Sequence, residues 1–270
     1  MDLTKFLPPD VSEKPLDVLK DDGGFTSVFR TVAVIGDSLA AGDLESLTPE
    51  GVRDFHDNHD ISWAQFLARM SGITVYNFSR GNMTAKEYWE TFADEKGFWD
   101  KAKAAQAYIF ALGCNDLEPE DSQVGSTGDI SADFMENKPT FAGYVAKIIQ
   151  RYKEIQPDAV FFLVTMPREP EPFVAKTLAA RYEEHRTLMY RLAEFFTNTY
   201  VIDLAEYGPA YDEAFHRTFF NGGHLNIEGY YLVAKMIGSY IDFIVRSNFG
   251  KFNQAGFTGT PYRYCEEQAF

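Results

Sequence analysis

One short apolar run, residues 32–35, restricts most strongly how this chain can fold. Three of its four residues are β-branched, and the run stops at Gly36. A short apolar run with polar sequence before it is typical of a strand buried on both faces of a parallel sheet. Gly36, Asp37 and Ser38 then turn the chain, so Ser38 follows the carboxyl end of this strand. Ligands of open α/β sheets bind along that edge, and the Ser38 hydroxyl is therefore predicted to face a binding site.

The rest of the chain alternates between apolar runs and segments with helical spacing. Strands are predicted at 32–35, 73–78, 107–112, 159–165 and 200–203. Helices are predicted at 61–70, 84–92, 141–155, 175–196 and 227–245, and a short helix with its exit at 207–220. This alternation predicts an α/β fold, a parallel sheet with helices on both faces. Residues 40–60 are predicted to form a loop over the sheet edge. No linker composition interrupts 1–270, so one domain is expected, with 1–30 as a lead-in and 249–270 as an aromatic tail.

The acidic composition excludes two classes of partner. Forty Asp and Glu against 25 Lys and Arg give a formal net charge of −15, and the basic residues form no stripe. Such a chain is not expected to bind nucleic acid or an anionic membrane surface. No run approaches the roughly 18 apolar residues of a membrane span.

Cysteine use and the first residues predict the compartment. Cys114 and Cys265 are the two cysteines, too few for a disulfide framework. The first residues lack a basic segment followed by an apolar one, as a secretory signal would have. A reduced, cytoplasmic protein is expected, and a homo-oligomer remains open.

Four residues far apart in the sequence form a candidate catalytic group. Ser38, Gly81 and Asn115 each follow a predicted strand, and His224 lies in the loop before the last helix. Carboxyl ends of parallel strands share one edge, so these residues are expected to converge. A serine hydroxyl becomes a good nucleophile when a histidine takes its proton. The N–H groups of Ser38 and Gly81 and the Asn115 amide are candidate donors to the oxyanion, which predicts acyl transfer.

The motifs around these residues resemble the four blocks of the SGNH hydrolases, also called the GDSL esterase/lipase family. The blocks are Gly36-Asp-Ser-Leu39, Gly81, Gly113-Cys-Asn-Asp116 and His224, in the family's order, and the resemblance spans residues 31–230. It implies a flavodoxin-like three-layer α/β/α sandwich with a five-stranded parallel sheet. It also implies Ser38 as nucleophile, His224 as base, an oxyanion hole of Ser38, Gly81 and Asn115, and ester hydrolysis without metal or organic cofactor.

One position departs from the family pattern. The family commonly has an aspartate three residues before the histidine, where this chain has Asn221. A neutral amide cannot balance an imidazolium. The preferred interpretation is a Ser-His dyad in which a main-chain carbonyl near Asn221 orients His224. A substitute acid comes next, and a slow or inactive site last. The substitute acids considered are Asp203, Asp212, Glu213 and Glu228.

Further residues near the predicted edge have more than one interpretation. Asp37 is a candidate for substrate binding, although bracing the turn suits it better, and Arg80 and Arg168 are candidates to read a polar substrate. Ser38 alone would suit a helix N-cap.

The segment 53–60, with His56 and His59, is better explained as an acidic loop that shapes the pocket than as a metal site. Cys114 is expected to point into the core.

These observations predict a serine esterase that acts on a small ester. A small acyl group, such as acetyl, on a polar alcohol such as a carbohydrate is the expected substrate, because no long apolar lid is visible. This choice rests more on family habit than on residues of this chain. A thioesterase and a short-chain lysophospholipase are alternatives within enzymes. A non-catalytic carbohydrate-binding protein is the alternative from another class, favoured by Asn221 alone.

Overall fold

The central sheet has the predicted strands. The computed structural model describes Leu3 and residues 6–265, and five strands in that part form one parallel sheet. The strands are β1 (Thr31–Gly36), β2 (Asp43–Leu47), β3 (Arg53–Asp57), β4 (Thr74–Asn77), β5 (Ala107–Ala111), β6 (Val160–Val164), β7 (Thr199–Ile202), β8 (Phe220–Asn221) and β9 (His224–Leu225). The sheet order is β4-β1-β5-β6-β7, which confirms the flavodoxin-like arrangement, with β1 between the second and third parallel strands.

Helices cover both faces of this sheet. They are α1 (Ser38–Ala41), α2 (Trp63–Ser71), α3 (Ala85–Glu87), α4 (Ala93–Glu95), α5 (Cys114–Leu117), α6 (Phe141–Ile155), α7 (Lys176–Phe195), α8 (Leu204–Tyr207), α9 (Glu213–Phe219), α10 (Ile227–Ser247) and α11 (Phe249–Phe252). A π-helical turn, Tyr88–Phe92, joins α3 to α4. The predicted long helices are confirmed, and the segment 207–220, predicted as a short helix with its exit, holds the end of α8 and the short helix α9.

Successive residues of each strand point into different cores, as the strand period requires. Ala33 and Ile35 of β1 belong to the apolar cluster that also holds buried residues of α6 and α7. Val32 and Val34 belong to the opposite cluster, with buried residues of α2 and α10. Helices cover both faces of the sheet at β1, so all four side chains are buried. This explains why the run is apolar without interruption, and it confirms the three-layer α/β/α architecture.

The lead-in and the tail pack on the outside of these layers. The backbone N–H of Lys20 donates to Ser239 Oγ at 2.8 Å, and that of Phe25 donates to Asp242 Oδ1 at 2.9 Å, both on α10. In the tail, the main-chain oxygen of Ala255 accepts a 2.7 Å hydrogen bond from Gln106 Nε2. The last aromatic residue of the predicted tail, Phe270, lies outside the described residues.

Residues 40–60 differ from their prediction as a loop. Strands β2 and β3 pair antiparallel as a hairpin, with Glu45 directly opposite Phe55. All five residues of β3 are exposed, so it lacks the apolar alternation by which strands are recognised. The hairpin follows α1 directly and therefore stands beside the carboxyl edge of the sheet.

No helix within the described residues is both long enough and apolar enough to cross a membrane.

Candidate active site

The turn after β1 presents Ser38 at the start of a helix. Asp37, not Ser38, is the N-cap of α1, and its Oδ1 accepts a 3.0 Å hydrogen bond from the Leu39 N–H. This cap leaves the half-buried Ser38 side chain without a structural task. Within the described part of the chain, no group hydrogen-bonds the Ser38 hydroxyl. The bracing role considered for Asp37 is therefore present, and the N-cap role considered for Ser38 is wrong.

Burial changes the acidity of this cap. The Asp37 carboxyl is almost fully buried. Desolvation raises its pKa to about 6, and the hydrogen bond from Leu39 and the charge of His224 oppose the rise. The opposing effect of His224 indicates that its ring lies near this turn.

Three candidate oxyanion donors lie at the ends of three adjacent strands. Gly81 follows β4, Ser38 follows β1 and Asn115 follows β5, with β1 in the centre. The Arg80 N–H donates to the Gly36 carbonyl at 3.4 Å and holds the Gly81 turn against the Ser38 turn. No acceptor among the described residues takes the N–H of Ser38 or of Gly81.

The Asn115 amide is oriented by the neighbouring turn. Its Nδ2 donates a 3.2 Å hydrogen bond to the Met83 carbonyl. This bond uses one of the two amide hydrogens and leaves the other for a substrate. The predicted convergence of these three residues at the sheet edge is therefore present.

The end of an acidic side chain lies close to the main chain at Gly81. A Cβ atom at this position would lie 2.9 Å from Asp43 Oδ2, closer than a carbon and a carboxylate oxygen can pack. Burial, and next the nearby charge of Asp57, raise the pKa of Asp43, while the charge of His224 opposes the rise. A carboxyl group of the hairpin therefore stands over the predicted oxyanion site, which the sequence did not indicate.

His224 is brought to this edge by the short hairpin β8–β9. The first helix, α1, lies against β9, with Cα atoms within 8 Å. His224 Nδ1 lies 2.8 Å from Glu45 Oε1. An ionised carboxylate only accepts hydrogen bonds, so we assign the proton to Nδ1. Nε2 then has a free lone pair for the Ser38 proton. Within the described residues Ser38 and His224 make no hydrogen bond with each other, and in such pairs this bond often forms only when substrate binds.

Glu45 is buried and held ionised by its surroundings. Its Oε1 also accepts a 2.6 Å hydrogen bond from the Gly223 N–H, and Arg53 Nε lies 3.1 Å from its Oε2. Burial raises the pKa of this carboxyl, but the hydrogen bonds from His224 and Gly223 and the charge of Arg53 outweigh burial. The net result is a pKa below the usual range.

Asn221 does not contact the imidazole as an orienting group. It lies opposite His224 in the β8–β9 pair, and its Nδ2 donates to the Glu45 main-chain carbonyl at 2.6 Å. The preferred interpretation, a main-chain carbonyl that orients His224, is wrong for this structure, because the partner of Nδ1 is the Glu45 carboxylate. Asn221 instead anchors the strand that carries Glu45.

A substitute acid is thus present, but it is none of the four considered. Asp203 is fully buried and accepts hydrogen bonds from Arg186 and Tyr190. Asp212 caps α9, and Glu213 pairs with Arg217. Glu228 lies in the first turn of α10. Within the described chain, the carboxylate that reaches the His224 ring is that of Glu45.

The comparisons with known proteins agree with this geometry. The model of the GDSL-like Lipase/Acylhydrolase family matches residues 34–232, from β1 through the motif of His224. The chain belongs to this family. It is accordingly a carboxylic ester hydrolase. No curated protein sequence matches the chain.

Several solved structures are similar to this GDSL-family chain in fold. A family two carbohydrate esterase from Clostridium thermocellum, in complex with cellohexaose, is 17% identical with a TM-score of 0.55, over 82% of this chain and 65% of its own. A carbohydrate esterase family 2 enzyme from Corynascus thermopiles is 15% identical with a TM-score of 0.53, over 78% and 65%. An acetyl xylan esterase, AlAXEase, is 16% identical with a TM-score of 0.50, over 78% and 99%. At such identities the likeness shows the fold.

The two arginines considered for substrate binding in this GDSL esterase have different settings. Arg80 pairs with Glu87, and its guanidinium lies 4.8 Å from the centre of the Phe92 ring, so both contacts hold it to the α3–α4 segment. Arg168 is exposed in the loop after β6, and its carbonyl accepts a 2.7 Å hydrogen bond from the Tyr211 N–H. Its side chain makes no hydrogen bond or ion pair within the described chain.

The histidine-rich segment belongs to the hairpin and to the turn after it. His56 Nε2 lies 2.6 Å from Ser46 Oγ, across the hairpin, and His59 Nε2 lies 2.8 Å from Gln65 Nε2. Among Leu3 and residues 6–265, no three His, Cys, Asp or Glu side chains form a group that could hold a metal ion.

Cys114 is partly buried near Tyr182 rather than deep in the core. Desolvation is the main cause that raises the pKa of its thiol to about 12.

A small apolar cavity lies next to the turn that carries Ser38. Its volume is about 80 Å³, and its walls include Asp37, Leu39, Met166 and Leu225, the sequence neighbours of Ser38 and His224 among them. The half-exposed Phe55 ring of the hairpin packs edge-on against His224, at 5.8 Å between ring centres. A narrow recess therefore lies beside the Ser38 turn, and an aromatic ring lies beside His224.

Proposed function

We propose that this chain is a serine esterase in which Ser38 is the nucleophile and His224 the general base. Ser38 Oγ forms a bond to the ester carbonyl carbon while its proton moves to His224 Nε2. The ester C–O bond then breaks, and the imidazolium returns that proton to the leaving alcohol. Water repeats the sequence on the acyl-enzyme, releases the carboxylic acid and restores Ser38.

The proposed oxyanion hole consists of the N–H groups of Ser38 and Gly81 and the Asn115 amide. The observation that supports the proposal most strongly is the placement of these donors on three adjacent strand ends, with the nucleophile on the central one. Fixed donors in this arrangement need no reorganisation when charge develops on the carbonyl oxygen. Each such donor contributes roughly a hundred- to a thousandfold in rate.

The proposed substrate is a small acyl ester, such as an acetyl ester, of a polar alcohol such as a carbohydrate. The small recess of about 80 Å³ beside Asp37 and Leu39 supports a short acyl chain. Support for a carbohydrate comes from the fold shared with carbohydrate esterases and from the half-exposed Phe55 ring beside His224. Aromatic faces commonly pack against apolar surfaces of ligands.

The experiment that tests this proposal measures hydrolysis of p-nitrophenyl acetate, butyrate and octanoate, an acetyl thioester, and acetylated xylan. Wild type is compared with Ser38→Ala and His224→Ala. The hairpin offers matched controls, Ser46→Ala and His56→Ala, because this serine–histidine pair lies in the same region of the chain but faces solvent. We expect a loss of about a thousandfold or more in the two site variants, and near wild-type rates in the two controls.

The same set of substrates also determines the preferred acyl length and the preferred alcohol. The acetyl ester should be turned over faster than the octanoyl ester, and acetate should be released from xylan. Turnover that survives Ser38→Ala would contradict the assignment of the nucleophile. A clear preference for octanoyl esters or thioesters would contradict the substrate class and favour a thioesterase or lysophospholipase.

A further inference from the structure

The hairpin β2–β3 inserts one side chain into the catalytic edge. Every residue of β3 is exposed, whereas Glu45, in the middle of β2, is 7% exposed. Glu45 and His224 are 179 positions apart in the sequence, yet their side chains lie 2.8 Å apart. A surface strand that buries a single carboxylate against a histidine is poorly explained by packing alone, because a buried carboxylate costs free energy unless it is paired.

The segment before His224 is shaped to receive this carboxylate. A Cβ atom on Gly222 would lie 2.1 Å from Glu45 Oε2, and one on Gly223 would lie 3.1 Å from Glu45 Oε1. Gly222 also has a φ of 73°, which side-chain-bearing residues rarely adopt. The two glycines therefore leave the space that the Glu45 carboxylate fills. The main chain of this segment also contributes directly, through the Gly223 N–H.

Other charged groups surround His224 without bonding its ring. Asp37 at the start of α1 and Asp43 on β2 act on it through charge, and Arg53 on β3 pairs with Glu45. Of the charged groups described, Glu45 is the one that hydrogen-bonds the imidazole. A carboxylate at Nδ1 fixes the tautomer with Nε2 free and stabilises the imidazolium formed when Ser38 gives up its proton.

We propose that Glu45 is the positioning acid of this esterase and that hairpin β2–β3, rather than the histidine motif, supplies it. Position 221, where the family commonly has the acid, holds Asn221 in this chain, and its side chain binds the Glu45 main chain. This inference rests on the proposed function, because it assigns Glu45 a role through His224. It makes the hairpin part of the catalytic machinery and not only a wall of the pocket.

The test compares Glu45→Gln, Glu45→Asp and Arg53→Gln with wild type, using p-nitrophenyl acetate from pH 5 to 9. Glu45→Gln should lower kcat by roughly a hundred- to ten-thousandfold with little change in KM, because the amide no longer balances the imidazolium and can donate to Nδ1. Glu45→Asp should retain part of the activity. Asp54→Asn, an exposed acid of the same hairpin, is the matched control and should behave as wild type.

The pH profile separates positioning from a structural role. Loss of the carboxylate disfavours the imidazolium, so residual activity of Glu45→Gln should persist to a pH lower by about one unit or more. Arg53→Gln removes a cation from the pair, so its acid limb should move to higher pH. Arg53 is 61% exposed, and its replacement leaves the fold intact, so this variant remains informative even if Glu45→Gln does not fold.

The outcomes distinguish this inference from the proposed function. If Ser38→Ala and His224→Ala abolish turnover while Glu45→Gln keeps wild-type kcat and pH profile, Glu45 is not the positioning acid and the esterase assignment stands. If Ser38→Ala retains turnover, the proposed function itself fails. An Arg53→Gln profile that does not move, or that moves to lower pH, also overturns the role of Glu45.

Discussion

The side-chain amide of Asn221 donates a 2.6 Å hydrogen bond to the main-chain carbonyl of Glu45. Asn221 belongs to β8 and Glu45 to β2, so this bond joins the strand pair that carries His224 to the hairpin that carries Glu45. An aspartate at position 221 could not donate this bond. The asparagine therefore fits a site in which the carboxylate comes from the hairpin.

Replacement of Asn221 by alanine should weaken catalysis moderately. One hydrogen bond of this kind contributes about 1 kcal/mol, and Glu45 keeps its bonds to Gly223 and Arg53. We therefore expect kcat to fall by about three- to tenfold, with a small decrease in melting temperature. Kinetics on p-nitrophenyl acetate and thermal unfolding measure the two effects.

The matched control for this prediction is Asn248→Ala. Asn248 Nδ2 also donates to a main-chain carbonyl, that of Ile244, at 2.9 Å in the last turn of α10. This variant should show a similar loss of stability and unchanged kcat. Equal effects on kcat in the two variants would mean that Asn221 acts through general stability alone.

Replacement of Asn115 by alanine should lower kcat by roughly a hundred- to a thousandfold, with KM nearly unchanged. The free amide hydrogen is proposed to bind the oxyanion, and such a donor acts mainly in the transition state. Asn137→Ala is the control, because that amide is buried and donates to Gly143 and Gln150 away from the site. The control should lose stability and keep its kcat. A drop of less than about fivefold for Asn115→Ala would argue against its place in the oxyanion hole.

The five sheet strands could be predicted because burial between helices leaves a pattern within each strand's own sequence. Each parallel strand lies between helical layers, so the sequence must be apolar where the strand is, as residues 32–35 and Val160–Val164 show. The motif residues after these strands, Ser38 and Asn115, could be predicted for the same reason. Where a strand ends, its turn reaches the shared edge of the sheet.

The hairpin and Glu45 could not be predicted in this way. Exposed strands such as Arg53–Asp57 lack the apolar alternation that reveals a strand, and their pairing depends on tertiary contacts. The partner of His224 lies 179 positions away, beyond the range of any motif spacing. The sequence does contain one signal, the pair Gly222-Gly223 beside the histidine, which indicates that another group approaches this segment closely.

Asp203 should matter for stability and not for catalysis. Its buried carboxylate accepts hydrogen bonds from Thr165, Arg186 and Tyr190 at 3.0, 2.8 and 2.7 Å. Asp203→Asn would weaken the charge-assisted hydrogen bonds of this carboxylate, each of which contributes about 1.5–3 kcal/mol, while Arg186 keeps its contacts with Glu183 and Glu206. Chemical denaturation should show this loss, while kcat per folded molecule stays within about twofold of wild type. A large fall in kcat without loss of stability would return Asp203 to the catalytic candidates.

The control for Asp203 is Glu206, one of two other acids that contact Arg186. Glu206 lies 3.4 Å from Arg186 Nη2, but its side chain is 54% exposed. Solvent-exposed pairs contribute little, about 0–1 kcal/mol. Glu206→Gln should therefore leave both stability and activity close to wild type.

Asp116, next to the proposed oxyanion donor Asn115, should make the stability of the fold depend on pH. Its Oδ1 accepts a 2.9 Å hydrogen bond from the Ala85 N–H, but its Oδ2 is buried without a partner among the described residues. Desolvation raises the pKa of this carboxyl to about 7 from 3.8, against the hydrogen bond from Ala85. The folded state therefore keeps a proton that the unfolded state loses above about pH 4.

Asp116→Asn should consequently stabilise the protein at alkaline pH relative to wild type. The folded state raises the pKa of the Asp116 carboxyl. The contribution of this carboxyl to the free energy of unfolding of the wild type is therefore fully present below about pH 4 and is lost as the pH rises through about 7. The asparagine keeps an acceptor for Ala85 and does not ionise, so the difference in unfolding free energy should grow from pH 4 to 8. At pH 8 it should reach about 1–3 kcal/mol, the cost of an unsatisfied buried polar group. Urea unfolding at pH 4.5, 6 and 8 measures it, with Asp54→Asn as the control for loss of one charge. A difference that is constant across this range would show that the Asp116 carboxyl is ionised in the folded protein throughout.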